Sequence, residues 1–162
     1  ANGFIAGLWT SSGDELFGTE YDIYAGYSGA AGDFTYGVSL VSYNYPTLGV
    51  DAINPGDYVE IIPTLGYGPF KVTYYDAIEA DHAPLGNEDY SYATAELNFE
   101  KFGIKYGQHF DDGDANVSHL DVTYKYNSKL SFTVGKIIDD ADDPVAEETE
   151  LNFIVSLSLP IE

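Results

Sequence analysis

Cysteine is absent from the 162 residues, so a disulfide framework, a thiolate metal centre and a cysteine nucleophile are all excluded. Basic residues are scarce, with 6 Lys and Arg against 27 Asp and Glu and a formal net charge of -21. Nucleic-acid binding is excluded with them, because neutralising a phosphate backbone takes clusters of Lys or Arg. Simple electrostatic docking onto anionic lipid is disfavoured for the same reason. No apolar run approaches the ~18 to 20 residues of a membrane helix, and no signal-peptide core is visible. Methionine is also missing and the chain starts at Ala1, which leads us to expect a processed form or a fragment whose export signal has been removed.

What is present in excess is tyrosine, 15 residues against 9 Phe and a single Trp, together with a strict period of two. The clearest stretch runs from Tyr90 to Ile137. There Ala93, Ala95, Leu97 and Phe99 fall on one side of an extended chain and Thr94, Glu96 and Asn98 on the other. Leu120, Val122, Tyr124 and Tyr126 likewise oppose His119, Asp121, Thr123 and Lys125. Strands are expected near Gly3–Thr10, Thr19–Tyr27, Phe34–Tyr45, Tyr58–Tyr67, Phe70–Glu79, Tyr90–Phe99, Phe102–His109, Val117–Tyr126, Lys129–Ile137 and Glu150–Leu159. The connections alternate long and short. Gly68-Pro69, Glu100-Lys101 and Asn127-Ser128 are tight, Ser28–Asp33 is shorter than its neighbours, and the stretches after Ser11, Pro46, Ala80 and Ile138 are long and acidic. Alternating connection length is the pattern of outer-membrane barrels, with long outer loops and short periplasmic turns. The expected fold is therefore all-β, an up-and-down antiparallel transmembrane β-barrel of about ten strands in a single domain over residues 1–162, or of twelve if N-terminal strands are missing.

A carboxylate facing hydrocarbon costs several kcal/mol, so the acidic side of such a barrel must be its interior. The expected lumen-lining residues are Glu20, Asp22, Glu60, Lys71, Glu96, Lys105, His119, Asp121 and Lys125, joined in a mixed-charge network. Tyr27, Tyr43, Tyr45, Tyr58, Tyr67, Tyr90 and Tyr126 lie near strand ends and are expected to form an interfacial aromatic girdle. Pro63, inside the fourth strand, cannot donate to a ladder and predicts a bulge or an edge position.

The segment GFIAGLWTSSGDELFGTEYDIYAGYSG from Gly3 resembles the GFYAGTWAS and AGYSG pattern of the TorF family (Gcw_chp), bacterial outer-membrane proteins known only as conserved hypothetical. The likeness continues through DFTYGVSLVSYNYP, DYVEIIPTLGYG and the closing ETELNFIVSLSLPIE. It implies export to the outer membrane of a Gram-negative bacterium and brings no established activity and no catalytic residues. The chain departs from the family pattern in lacking a TSDY-type stretch before Ala1 and in ending Leu159-Pro160-Ile161-Glu162 instead of in an aromatic residue.

Three constellations could carry chemistry. His119 and Asp121 share a strand face, with His109 across the hairpin, which is the raw material of a hydrolase without an obvious serine. Asp111, Asp112, Asp114 and Asn116 begin like a calcium loop, but Val117 stands where glycine belongs and no glutamate follows at the twelfth position. The run from Asp139 to Glu148 could bind divalent cations loosely and bridge lipopolysaccharide phosphates. The expected function is that of a small, porin-like outer-membrane protein without enzymatic activity or cofactor, a narrow cation-preferring channel or a surface component partnered by lipid. The alternatives are a secreted β-protein self-assembling into fibres or a surface layer, and an outer-membrane hydrolase.

Overall fold

A computed structural model describes residues 3–12, 18–46, 52–80, 89–110, 116–139 and 151–159. The period-two segments become β1 (Gly3–Ser12), β2 (Thr19–Ala31), β3 (Phe34–Asn44), β4 (Tyr58–Tyr67) and β5 (Phe70–Ala80) in the first half of the chain. The second half supplies β6 (Ser91–Asn98), β7 (Phe102–Phe110), β8 (Ser118–Lys125), β9 (Leu130–Asp139) and β10 (Asn152–Leu157). They form one 10-stranded sheet in the order β1 to β10, each strand antiparallel to the one before it. The sheet is not closed, since among the described residues β1 pairs only with β2 and β10 only with β9.

Strand ends differ from the expectation by a few residues, and β2 shows why. Its ladder with β3 runs on through Gly29↔Tyr36 to Ala31↔Phe34, so the polar-looking Ser28–Asp33 stretch is mostly strand and only Gly32 and Asp33 turn the chain. Small residues there carry little periodicity, and the pairing of Tyr36 and Phe34 decides the outcome. The next tight connection, Gly68-Pro69, opens on Gly68 at φ 55°, the positive φ that a two-residue hairpin needs at its first loop position.

Pro63 is neither at an edge nor in a bulge. It lies inside the fourth of ten strands opposite Val38, and the β4–β5 register is the same before it (Ile61↔Asp76) and after it (Thr64↔Thr73). The ladder to β5 skips Ile62 and Pro63, where the missing N–H would have to donate, while the register shift comes earlier, between Val59 and Glu60.

Register fixes the two faces. One carries Phe4, Leu8, Ile23, Leu40, Leu65, Ile104, Val122, Val134, Phe153 and Val155, all exposed, with Phe4 at 90%. The other carries Asp22, Glu60, Thr73 and Thr94, all buried at 7% exposure or less. Burial is thus inverted, with polar side chains covered on one face and apolar ones exposed on the other. The buried apolar cluster consists of Ile53, Tyr58 and Ala77, with Tyr43, Tyr45 and Ala80 against it. It forms where the β3–β4 connection folds back through a Tyr45↔Ile53 bridge. Asn44, fully buried, anchors that fold by donating from Nδ2 to the Tyr21 carbonyl at 2.9 Å and the Ser42 carbonyl at 2.8 Å.

Candidate functional site

The polar face divides along the strand axis. Toward the short connections its charges are paired. Lys71 reaches Glu96 at 2.7 Å, because they are cross-strand partners on β5 and β6. Lys105 on β7 reaches Asp121 on β8 at 3.1 Å, again directly opposite. Lys125 donates to Asn98 Oδ1 at 3.2 Å.

Farther from the short connections, aromatic and imidazole rings take over. His119 Nδ1 lies 3.2 Å from Asp121 Oδ1 and its Nε2 lies 2.7 Å from the Tyr92 hydroxyl. Ionised Asp121 can only accept, so Nδ1 carries the hydrogen and, in the neutral ring, Nε2 accepts from Tyr92. Tyr92 stacks on His109 with centroids 4.3 Å apart, and His109 Nδ1 lies 2.7 Å from the Tyr90 hydroxyl. Gly107 makes the arrangement fit, because a Cβ there would overlap the His119 ring and the Tyr92 hydroxyl. Charge-relay geometry is thus present in a Tyr–His–Asp chain, but His119 has no bonded serine, its hydrogen-bond partners being Tyr92 and Asp121.

Toward the long connections lies a cluster of tyrosines and acids. Glu60 accepts from Tyr43 at 2.8 Å and from Tyr58 at 3.2 Å, one hydroxyl on each carboxylate oxygen. Glu20 accepts from Tyr45. Asp22, opposite Tyr43, has a buried Oδ1 without a partner among the described residues. A cavity of about 320 Å³ is lined by Glu60 and by Tyr43, Tyr45, Tyr58, Tyr75, Tyr90 and Tyr92.

All nine sequence-predicted lining residues (Glu20, Asp22, Glu60, Lys71, Glu96, Lys105, His119, Asp121 and Lys125) fall on the polar face. They do not form the single mixed-charge network expected, because Glu20, Asp22 and Glu60 have no lysine within ion-pair distance among the described residues. The girdle expectation needs the apolar face, and Tyr27 and Tyr67 lie there in Phe4–Tyr27 and Phe34–Tyr67 ring pairs, with exposed Tyr126 just past β8. It fails for Tyr43, Tyr45, Tyr58 and Tyr90, whose hydroxyls turn to the polar face. Parity held the missing signal: Tyr58 and Glu60 are two residues apart on one strand and must share a face. Of the calcium-like set, Asp111, Asp112 and Asp114 lie outside the described residues, and Asn116 is exposed with its carbonyl accepting from Gln108. The acidic run after Asp139 also lies outside them.

A family model described as a bacterial protein of unknown function, Gcw_chp, matches residues 1–144. The chain belongs to the Gcw_chp family. Curated proteins and solved structures give no match. For this Gcw_chp chain the family sets no reaction and no ligand, so a functional reading must come from the two faces of the sheet.

Proposed function

We propose that this Gcw_chp chain is a β-barrel protein of the bacterial outer membrane, with lipid against its apolar face and a narrow, cation-preferring lumen along its polar face. The observation that carries the reading is the inverted burial, since Phe4, Leu8, Leu65, Phe153 and Leu157 are more than half exposed while Asp22 and Glu60 are nearly covered. In water such a surface far exceeds the apolar patch a soluble monomer tolerates. Against hydrocarbon it is the favourable arrangement, with backbone groups satisfied strand to strand. An even number of strands in simple up-and-down order supports closure, because β1 and β10 would then meet antiparallel. A lumen of about this strand number is nearly filled by side chains, which favours a narrow path over a wide pore. Its carboxylates outnumber its lysines, hence the cation preference.

The test is refolding of the full chain into detergent or liposomes. A barrel gives heat-modifiable migration and floats with the lipid, and Val122→Lys, on the apolar face, weakens it by about 2–4 kcal/mol while Thr133→Lys, on the polar face, does not. A monodisperse protein that stays soluble without detergent would overturn the reading.

The outer edges of β1 and β10, unpaired among the described residues, favour a second reading, in which copies join edge to edge into fibres or a surface layer. Sedimentation in the absence of lipid, with strand-rich circular dichroism, is its signature.

A further inference from the structure

We propose that the tyrosine cage around Glu60 is a binding site for an organic ammonium cation, a methylated or primary amine, entering from the side of the long connections. Its volume, about 320 Å³, falls at the lower end of the ~300–1,000 Å³ typical of small-molecule sites. Its walls are rings: Tyr43 and Tyr58 stand 5.5 Å apart between centroids, and Tyr75 and Tyr92 stand 5.3 Å apart. Tyrosine faces attract a cation through the ring quadrupole, and more strongly where water is excluded. Glu60 supplies the charge such a ligand needs. Its side chain is 6% exposed, and both its oxygens are held by neutral hydroxyls, which fix the carboxylate without neutralising it.

A second observation points the same way. Asp22 lies outside the cavity lining, but as the cross-strand partner of Tyr43, 7% exposed and with Oδ1 unpartnered among the described residues, it adds a covered carboxylate beside the cage that a nearby cation would stabilise. The chemistry favours an organic cation over a metal ion. Among the described residues no three carboxylate or imidazole side chains converge as metal ligands must, and most of the lining is aromatic. The bridge between Tyr45 and Ile53 brings the β3–β4 connection to this end of the face, beside the cavity.

The inference rests on the polar face meeting water, as proposed above, and the experiment separates the two. The full chain, refolded in detergent and checked for heat-modifiable migration, is titrated with tetramethylammonium chloride at constant ionic strength against sodium chloride. Calorimetry and tyrosine fluorescence are the readouts. Saturable binding at one site is expected, weakened roughly tenfold by Glu60→Gln and several-fold by Tyr92→Leu, and unchanged by Lys129→Gln in the β8–β9 turn. The uncharged alcohol 3,3-dimethylbutanol, whose tert-butyl group presents the same methyls without the charge, should bind at least tenfold more weakly than the cation. Heat-modifiable protein that shows no saturable binding, or that binds the alcohol as well as the cation, overturns the cage and leaves the barrel standing. If Glu60→Gln does not refold, Tyr92→Leu decides: binding equal to that of the unaltered chain also overturns it.

Discussion

The two ends of the polar face solve one problem, a carboxylate beneath neighbouring strands, in opposite ways. Toward the short connections, Glu96 and Asp121 are met by Lys71 and Lys105, whose side chains are 42% and 40% exposed. Toward the long connections, Glu60 and Glu20 are met by tyrosine hydroxyls and Asp22 Oδ1 by no partner among the described residues. Burial accounts for the difference. Where water still reaches the pair, a long flexible cation can be held loosely at little cost, and the pair contributes little. Where the carboxylate is covered, a rigid neutral donor with few rotatable bonds loses less entropy, and its ring fills the space as well. The consequence is a face whose lysines neutralise one end and leave the other strongly negative.

The sharpest test removes the acceptor from the covered end. Glu60→Leu leaves the Tyr43 and Tyr58 hydroxyls without their partner, and at about 1–3 kcal/mol for each unsatisfied group the loss should be about 2–6 kcal/mol. Guanidinium unfolding in detergent reads it. A loss no larger than that from Lys71→Gln would break the contrast between the ends. Next in size is a pair of glycines on the same strand. A Cβ at Gly107 would overlap His119 and Tyr92, so Gly107→Ala should cost about 1–3 kcal/mol by overpacking. At Gly103, toward the short connections, a Cβ meets Asn98 Oδ1 at 3.3 Å and Thr123 Cβ at 3.8 Å, contacts a flexible amide can absorb. Gly103→Ala should stay within about 0.5 kcal/mol of the parent. Equal costs at the two positions would mean that the rings do not crowd the long-connection end.

Much of this arrangement was legible before any coordinates. Alternation of Leu120, Val122 and Tyr124 with His119, Asp121 and Thr123 fixes both the strand and its faces, since a slip of one residue would reverse every side chain. The closed barrel expected from the alternating connections is not what the sheet shows, because neither β1 nor β10 carries a local signal for pairing with the other and, among the described residues, each pairs with one neighbour only. The tyrosines were misread for a physical reason as well. A tyrosine at a strand end suits a membrane interface or a hydrogen-bonded polar cluster equally well, and only the parity of Tyr43 with Tyr45 and of Tyr58 with Glu60 tells them apart. The Tyr75–Tyr92 contact needed the β5–β6 register, which spacing within one strand cannot supply.

Smaller effects separate the ends by solvent. Lys71→Gln should cost less than about 1 kcal/mol, given the exposure of its side chain, and that cost should shrink further in about 1 M salt, where screening extends to ~3 Å. The Glu60 bonds to neutral hydroxyls should be indifferent to the same salt. Comparing unfolding midpoints of Lys71→Gln and Tyr43→Phe in low and high salt checks both statements at once. A salt-sensitive Tyr43→Phe would mean that an ionic contact, and not only the neutral hydroxyl, holds Glu60.

The smallest expected effect lies at Tyr45, just past β3. Burial first, then its hydrogen bond to Glu20 and the charges of Glu20, Asp22 and Glu60, raise this phenol above its ordinary value of 10.0. A group whose folded value is raised contributes its stability in full below the unfolded value and loses it as pH climbs toward the folded one. The Tyr45 contribution should therefore be constant from pH 7 to about 9 and decline above about 10. Other tyrosines also titrate in the unfolded chain, so the informative quantity is the difference between the parent and Tyr45→Phe. That difference should narrow between pH 9 and pH 11 in guanidinium unfolding, because the parent loses what the variant never had. A difference that stays constant or widens would mean that the Tyr45 phenol is neither covered nor bonded to Glu20, and the contrast between the two ends would then rest on Glu60 alone.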